Sequence, residues 1–212
     1  MGQLNQAIKI KNVIDFYNVN SFVETGTGAA EVVRDVSSMK ESLDIHTIEI
    51  IEPLYNRNKI SYSYLKNVNW HLGSSIEVLP NILPNLKSNT LFWMDAHFPG
   101  ADFGFASYED EKDYDKRLPL KKELETILSH KDVKNDIFVL DDLWIYEEGP
   151  YEGGNWDKRS TCGADNIDFV DDLFEDTHYV IRSYNAQGFI ILFPLSVDIT
   201  NEIGNLVVGD VS

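Results

Sequence analysis

The stretch Ser21-Phe22-Val23-Glu24-Thr25-Gly26-Thr27-Gly28-Ala29-Ala30 decides how this chain is read. Phe22 and Val23 form a short apolar run, Glu24 closes it, and a glycine turn leads into the amphipathic run Ala29 to Met39. Strand, glycine turn and helix in that order open a nucleotide-binding α/β fold. Gly26 and Gly28 supply positive φ and let a ligand approach the backbone with no Cβ in the way.

The turn departs from the dinucleotide pattern G-x-G-x-x-G, because Glu31 stands three residues after Gly28. A carboxylate there repels a pyrophosphate seated at the helix N-terminus. Glu24, two residues before the first glycine, suits a ligand carrying an ammonium group. Glu24-x-Gly26-x-Gly28-x-Ala30 resembles the first motif of the class I S-adenosylmethionine-dependent methyltransferases, with alanine at the third glycine position. The resemblance implies a Rossmann-like open α/β sheet, mostly parallel with an antiparallel closing strand and helices on both faces. It also implies S-adenosylmethionine as cofactor, with Thr25 of the turn beside it.

Composition is consistent with a globular chain. Its 212 residues, 43% hydrophobic and 25% charged, are expected to form one domain over 1–212. No apolar run reaches the ~20 residues of a membrane span. The start Met1-Gly2-Gln3-Leu4-Asn5-Gln6 lacks a basic region and apolar core, and Gln6 fills the place where a myristoylation signal has Ser or Thr. The one cysteine, Cys162, has no intrachain partner. A cytoplasmic location is the resulting expectation, with no membrane association. A net charge of −17 repels phosphate backbones, so nucleic acid is not an expected partner. Much of the acid lies in 109–115 and 165–176, a solvated face or an attractor of cations. The oligomeric state stays open, a homo-oligomer included.

Residues 3–18 have helical spacing and predict one leading helix, which in the resembled family often covers the cofactor. His46 to Ile50 reads as a second strand, carrying Glu49. Glu49 lies 25 residues beyond Glu24, near where such folds place the carboxylate that holds ribose hydroxyls; Glu52 is a nearby competitor. Pro53 opens a helix to Lys66, and Val68 to Leu72 is a third strand. The turn Gly73-Ser74-Ser75 follows. In the resembled family this turn commonly carries an aspartate beside adenine, and Ser74 and Ser75 stand there here. The apolar run Thr90 to Met94 predicts a strand buried on both faces, ending in Asp95-Ala96-His97. A long aromatic and acidic segment, 98–118, then precedes a helix over 119–130. Ile137 to Leu140 is a fifth strand ending in Asp141-Asp142, followed by a second long segment, 143–163, rich in glycine and aromatics. A helix over 165–175 and strands over 179–182 and 188–193 complete the pattern. The tail from Leu195 has no assigned role.

Ligands in open α/β sheets bind beyond the carboxyl ends of the strands. Glu24, Glu49, Asp95, Asp141 and Asp142 therefore share one rim. Carboxylates gathered there need a proton or a cation between them. Oxygen donors suit Mg²⁺ or another divalent ion. The arrangement is similar to that of the metal-dependent O-methyltransferases, closest to the macrocin and novobiocin sugar type. That resemblance implies Asp95, Asp141 and Asp142 as metal ligands. The general base of that type falls on His97, whose imidazole has a suitable ordinary pKa. The catechol type's lysine is replaced by Phe98.

The resemblance spans roughly residues 10–193. It implies methyl transfer to an oxygen of a small molecule, a sugar or other polyhydroxylated metabolite, with 98–118 and 143–163 as lids. Two rivals stand beside it: a metal-independent methyltransferase with His97 as its only base, and a nucleotide-binding module that catalyses nothing.

Overall fold

The computed structural model describes residues 3–209. The Met1-Gly2 reading lies outside the described residues. The chain runs α1 (Leu4–Ala7), α2 (Ile10–Phe16), β1 (Ser21–Thr25), α3 (Glu31–Ser37), β2 (Asp44–Glu49), α4 (Glu52–Ser61), β3 (Val68–Leu72), α5 (Ser75–Ile82) and β4 (Thr90–Met94). It continues through α6 (Tyr114–Arg117), α7 (Leu120–His130), β5 (Ile137–Leu140), α8 (Arg159–Cys162), α9 (Phe169–Phe174), β6 (His178–Ser183), β7 (Phe189–Pro194) and α10 (Ile203–Leu206).

The seven strands form one sheet in the order β3-β2-β1-β4-β5-β7-β6. The pairings among β1 to β5 are parallel, whereas β7 runs antiparallel to both β5 and β6. This is the Rossmann-like sheet that the family resemblance implied, with its antiparallel finish. Every residue of β1, β4, β5 and β7 is buried.

Side-chain alternation divides these strands between two cores. Val23, Phe92, Phe138, Leu140, Ile190 and Leu192 face the layer holding α5, α7 and α9. Phe22, Leu91, Trp93, Ile137, Val139 and Ile191 face the layer holding α1, α2, α3 and α10. Burying each large apolar side chain contributes ~1.5–3 kcal/mol, so a run such as Leu91-Phe92-Trp93 is stable only when helices cover both faces.

The leading segment differs from its expected form. One helix over 3–18 is replaced by α1 and α2, broken at Ile8, which takes an extended conformation (φ −131°, ψ 154°) and bridges to Val207. The cause is the C-terminal tail, where Lys9 N–H donates to the Leu206 carbonyl at 2.8 Å and Val208 N–H to the Ala7 carbonyl at 3.0 Å. The tail therefore has a structural role that its sequence alone did not reveal. The leading helices pack on the core, and Gln3 just before α1 borders the cleft described below. Among the described residues no helix is long and apolar enough to cross a membrane.

Candidate active site

The strand order reverses between β1 and β4, and their carboxyl ends open a cleft of about 420 Å³. Small-molecule sites in this fold class occur at such switch points and span about 300–1,000 Å³.

The glycine turn after β1 forms one end. Gly26 has φ +80°, and a Cβ there would lie 2.6 Å from the Asp95 carbonyl oxygen. Glycine is thus required where the ends of β1 and β4 touch. Gly28 has φ +51°, and a Cβ there would meet the Phe103 ring at 3.0 Å. Ala30, at the third glycine position of the motif, also sits in the left-handed region at φ 60°. A non-glycine residue there costs about 1–2 kcal/mol.

Acids around the turn are well partnered. Glu24 is 2% exposed and accepts from the Thr47 hydroxyl at 2.5 Å. Thr47 Oγ1 also lies 2.5 Å from Thr27 Oγ1, which extends the chain of hydroxyls into the turn. Burial pushes the Glu24 carboxyl well above its ordinary range, against the Thr47 hydrogen bond. Glu49 is held by two backbone donors, Gly28 N–H on Oε2 at 2.9 Å and Ile51 N–H on Oε1 at 2.8 Å. Each of its oxygens keeps a second lone pair. Ser74 and Ser75 are buried at the start of α5 and line the cleft, as do Glu24 and Glu49. Thr25 does not line it; its buried hydroxyl turns toward α7.

Beneath the floor lies a residue the sequence reading passed over. Glu123, on α7, is fully buried, and neither carboxyl oxygen has a hydrogen bond of normal geometry. Burial pushes its pKa to about 7, and the nearby Ser75 and Thr25 hydroxyls only partly offset this. The helical spacing of Leu120, Glu123, Leu124 and Ile127 was the available signal: an acid on an apolar stripe.

The other end of the cleft gathers Asp95, His97 and Asp142. Their ligand-type atoms all lie within 4.8 Å of one another. His97 Nε2 is 3.0 Å from Asp142 Oδ2 and 3.7 Å from Asp102 Oδ2, and its Nδ1 is 3.8 Å from Asp95 Oδ1. Burial disfavours a charged imidazole, but the Asp142, Asp102 and Asp95 carboxylates outweigh it and hold His97 well above its ordinary pKa. These carboxylates favour the charged ring, whereas the base role expected of His97 uses the neutral one. Asp95 is pushed up to about 7 by burial, against the neighbouring His97 and with the Asp142 charge.

Asp141 lies outside this trio but beside Asp95. Its Oδ1 accepts from Asp142 N–H at 2.8 Å, and its buried Oδ2 has no hydrogen-bond partner. Burial first, and then the Asp142 and Asp95 charges, raise its pKa well above the ordinary range. Adjacent residues at a strand end point to opposite sides. Asp142, in the left-handed region at φ 56°, turns into the cleft, while Asp141 lies behind it.

Aromatic side chains from 98–118 and 143–163 wall the acid end. Phe98 packs on Tyr108 and Trp156 with centroids 5.1 and 5.5 Å away, and Trp144 stacks on Trp156 at 6.2 Å. Lys158 Nζ sits 4.1 Å from the Tyr108 ring centroid. Phe98 itself has φ 37°. Two non-glycine left-handed residues, Phe98 and Asp142, line this cleft, a pattern typical of functional sites.

No protein-family model and no curated protein matches this sequence. Solved structures do resemble it. The O-methyltransferase TomG from Streptomyces achromogenes, involved in tomaymycin synthesis and in complex with S-adenosylmethionine, superposes with a TM-score of 0.55 at 13% identity, over 88% of this chain and 78% of that one. The O-methyltransferase from Bacillus cereus in complex with S-adenosylhomocysteine gives 0.56 at 12% identity, over 87% and 78%. A methyltransferase dependent on S-adenosylmethionine from Aquifex aeolicus gives 0.52 at 16% identity, over 92% and 93%. At such identities the likeness concerns the backbone, and on it, with the strand order above, the chain has the class I methyltransferase fold.

Proposed function

We propose that this chain is an enzyme that transfers the methyl group of S-adenosylmethionine to an oxygen of a small acceptor, a sugar or other polyhydroxylated metabolite, with a divalent cation in the acid end. The observation that carries this reading is the division of one cleft. Glu24, Gly26, Gly28 and Glu49 line one end, and Asp95, His97 and Asp142 the other.

The residues fit both groups. Glu24 and the backbone of Gly26 and Gly28, which line the cleft, receive the amino-acid part of the cofactor. Glu49, with a lone pair remaining on each oxygen, accepts from the paired ribose hydroxyls. Ser74 and Ser75 border the adenine position, with Thr25 supporting the floor. At the acid end, Asp95 and Asp142 would hold the cation and Asp141 backs them; the unpartnered Asp141 Oδ2 and Asp142 Oδ1 mark negative charge that a cation compensates. A bound dication supplies Lewis acidity that lowers the pKa of an acceptor hydroxyl.

In the transfer, the sulfonium S–CH₃ bond breaks as the O–CH₃ bond forms. The acceptor's proton leaves to water in the cleft as its hydroxyl ionises. The segments 98–118 and 143–163 act as lids, and their aromatic faces orient the acceptor and exclude water.

Titration calorimetry with S-adenosylhomocysteine tests the first half: micromolar binding supports the reading, and no heat moves the non-catalytic binding module to the front. Methyl transfer to a panel of sugars and polyols, with and without EDTA, tests the second. Turnover that survives the chelator assigns the chemistry to a metal-independent enzyme.

A further inference from the structure

We infer that the cation of the acid end takes His97 as its third protein ligand in place of Asp141, and that this one-nitrogen, two-oxygen set selects a first-row transition dication over Mg²⁺. The inference rests on the cation part of the proposed function and not on its methyl-transfer part.

Three observations carry it. First, the ligand-type atoms of Asp95, His97 and Asp142 already lie within 4.8 Å of one another, with His97 Nε2 3.0 Å from Asp142 Oδ2. Adjacent ligands on a cation with bonds of ~2.1 Å stand about 3 Å apart, so this trio needs little rearrangement. Secondly, Asp142 is 7% exposed and its Oδ1 has no hydrogen-bond partner, although it belongs to a side chain lining the cleft. A buried carboxylate oxygen left bare is costly unless something positive reaches it. Thirdly, Asp141 does not line the cleft, spends Oδ1 on the Asp142 amide and falls outside the trio of ligand-type atoms.

Ligand identity then decides the metal. Mg²⁺ prefers oxygen donors, whereas imidazole suits the later first-row ions, with carboxylates shared by both groups. With one ring nitrogen on the ion, the other donates to a neighbouring carboxylate, the usual way a ligating imidazole is oriented. Asp102, 3.7 Å from Nε2, and Asp95, 3.8 Å from Nδ1, flank the two edges of the ring. Three protein ligands leave coordination positions for water or for acceptor oxygens.

The test uses the full chain, stripped with chelator and titrated separately with CoCl₂ and MgCl₂ by calorimetry. Pulsed paramagnetic resonance of the Mn²⁺ adduct is the second readout. Co²⁺ is expected to bind at least about tenfold tighter than Mg²⁺. The Mn²⁺ signal should show nitrogen coupling that changes on ¹⁵N-histidine labelling. That coupling should persist in Asp141→Asn and vanish in His97→Gln, which should also bring the two affinities within about threefold.

Thermal melts establish that both variants fold. Mn²⁺ bound without nitrogen coupling overturns the inference, as does a site lost in Asp141→Asn but intact in His97→Gln. Absence of any cation binding also overturns it and leaves His97 itself as the counter-charge for Asp95 and Asp142. S-adenosylhomocysteine binding to the metal-stripped protein is measured alongside and stands or falls separately.

Discussion

The two ends of the cleft treat their acids in opposite ways. At the glycine-turn end, Glu49 is held by two backbone N–H groups and Glu24 by the Thr47 hydroxyl. At the acid end, Asp141 Oδ2 and Asp142 Oδ1 are buried without partners, and the positive group among the acids is the His97 ring. A satisfied carboxylate is part of the scaffold, ready to receive a ligand of fixed shape. An unsatisfied one stores electrostatic imbalance that a proton, a cation or a substrate relieves. On the proposed function, the first end positions the cofactor and the second is where transfer takes place.

Substitutions at the acid end test this contrast most strongly. Asp142→Asn should lower methyl transfer by about 100-fold or more, while leaving S-adenosylhomocysteine affinity within about threefold by calorimetry. Equal losses in both readouts would show that the two ends are not separable.

Gly26→Ala tests the scaffold end. Its Cβ would meet the Asp95 carbonyl at 2.6 Å and would have to adopt φ +80°. A stability loss of ~2–3 kcal/mol in urea denaturation is expected, with weaker cofactor binding. An unaltered midpoint would mean that the turn relaxes away from β4.

Glu123 sharpens the boundary between the ends. Its pKa is raised in the folded state to about 7 from an ordinary 4.5, so the native protein binds its proton more tightly than the unfolded chain. Stability from this group is therefore present below about pH 4.5 and is lost as pH rises through about 7. Glu123→Gln should gain ~1–3 kcal/mol over the parent at pH 8 and little at pH 4.5, measured by denaturant unfolding at both values. The same gain at both would show that the carboxyl does not titrate in this range.

The smallest effect is expected at Ala30. Ala30→Gly relieves a left-handed alanine but removes a buried methyl from the core, and the two terms nearly cancel. A change in stability within ~1 kcal/mol is expected from the same denaturation experiment.

Much of this was readable before the structure. Val68 to Leu72 and Thr90 to Met94 were placed as strands with the observed limits, and the antiparallel finish was implied by the family resemblance. Period-two and period-3.6 patterns are local, and so are the backbone needs of Gly26 and Gly28. The break at Ile8 was not local: it comes from the tail at Leu206 to Val208, nearly two hundred residues away in the chain.

The sequence by itself determined the order of strands and helices, the glycine turn, and the acids at the strand ends, because each depends on near neighbours along the backbone. Only the tertiary structure decided which acids meet. Asp142 turns into the cleft beside Asp95 and His97, and Glu123 comes to lie beneath the floor. Those outcomes depend on the direction of a side chain at a strand end, a left-handed backbone at Asp142, and the docking of α7 under the sheet. No spacing along a single chain encodes them.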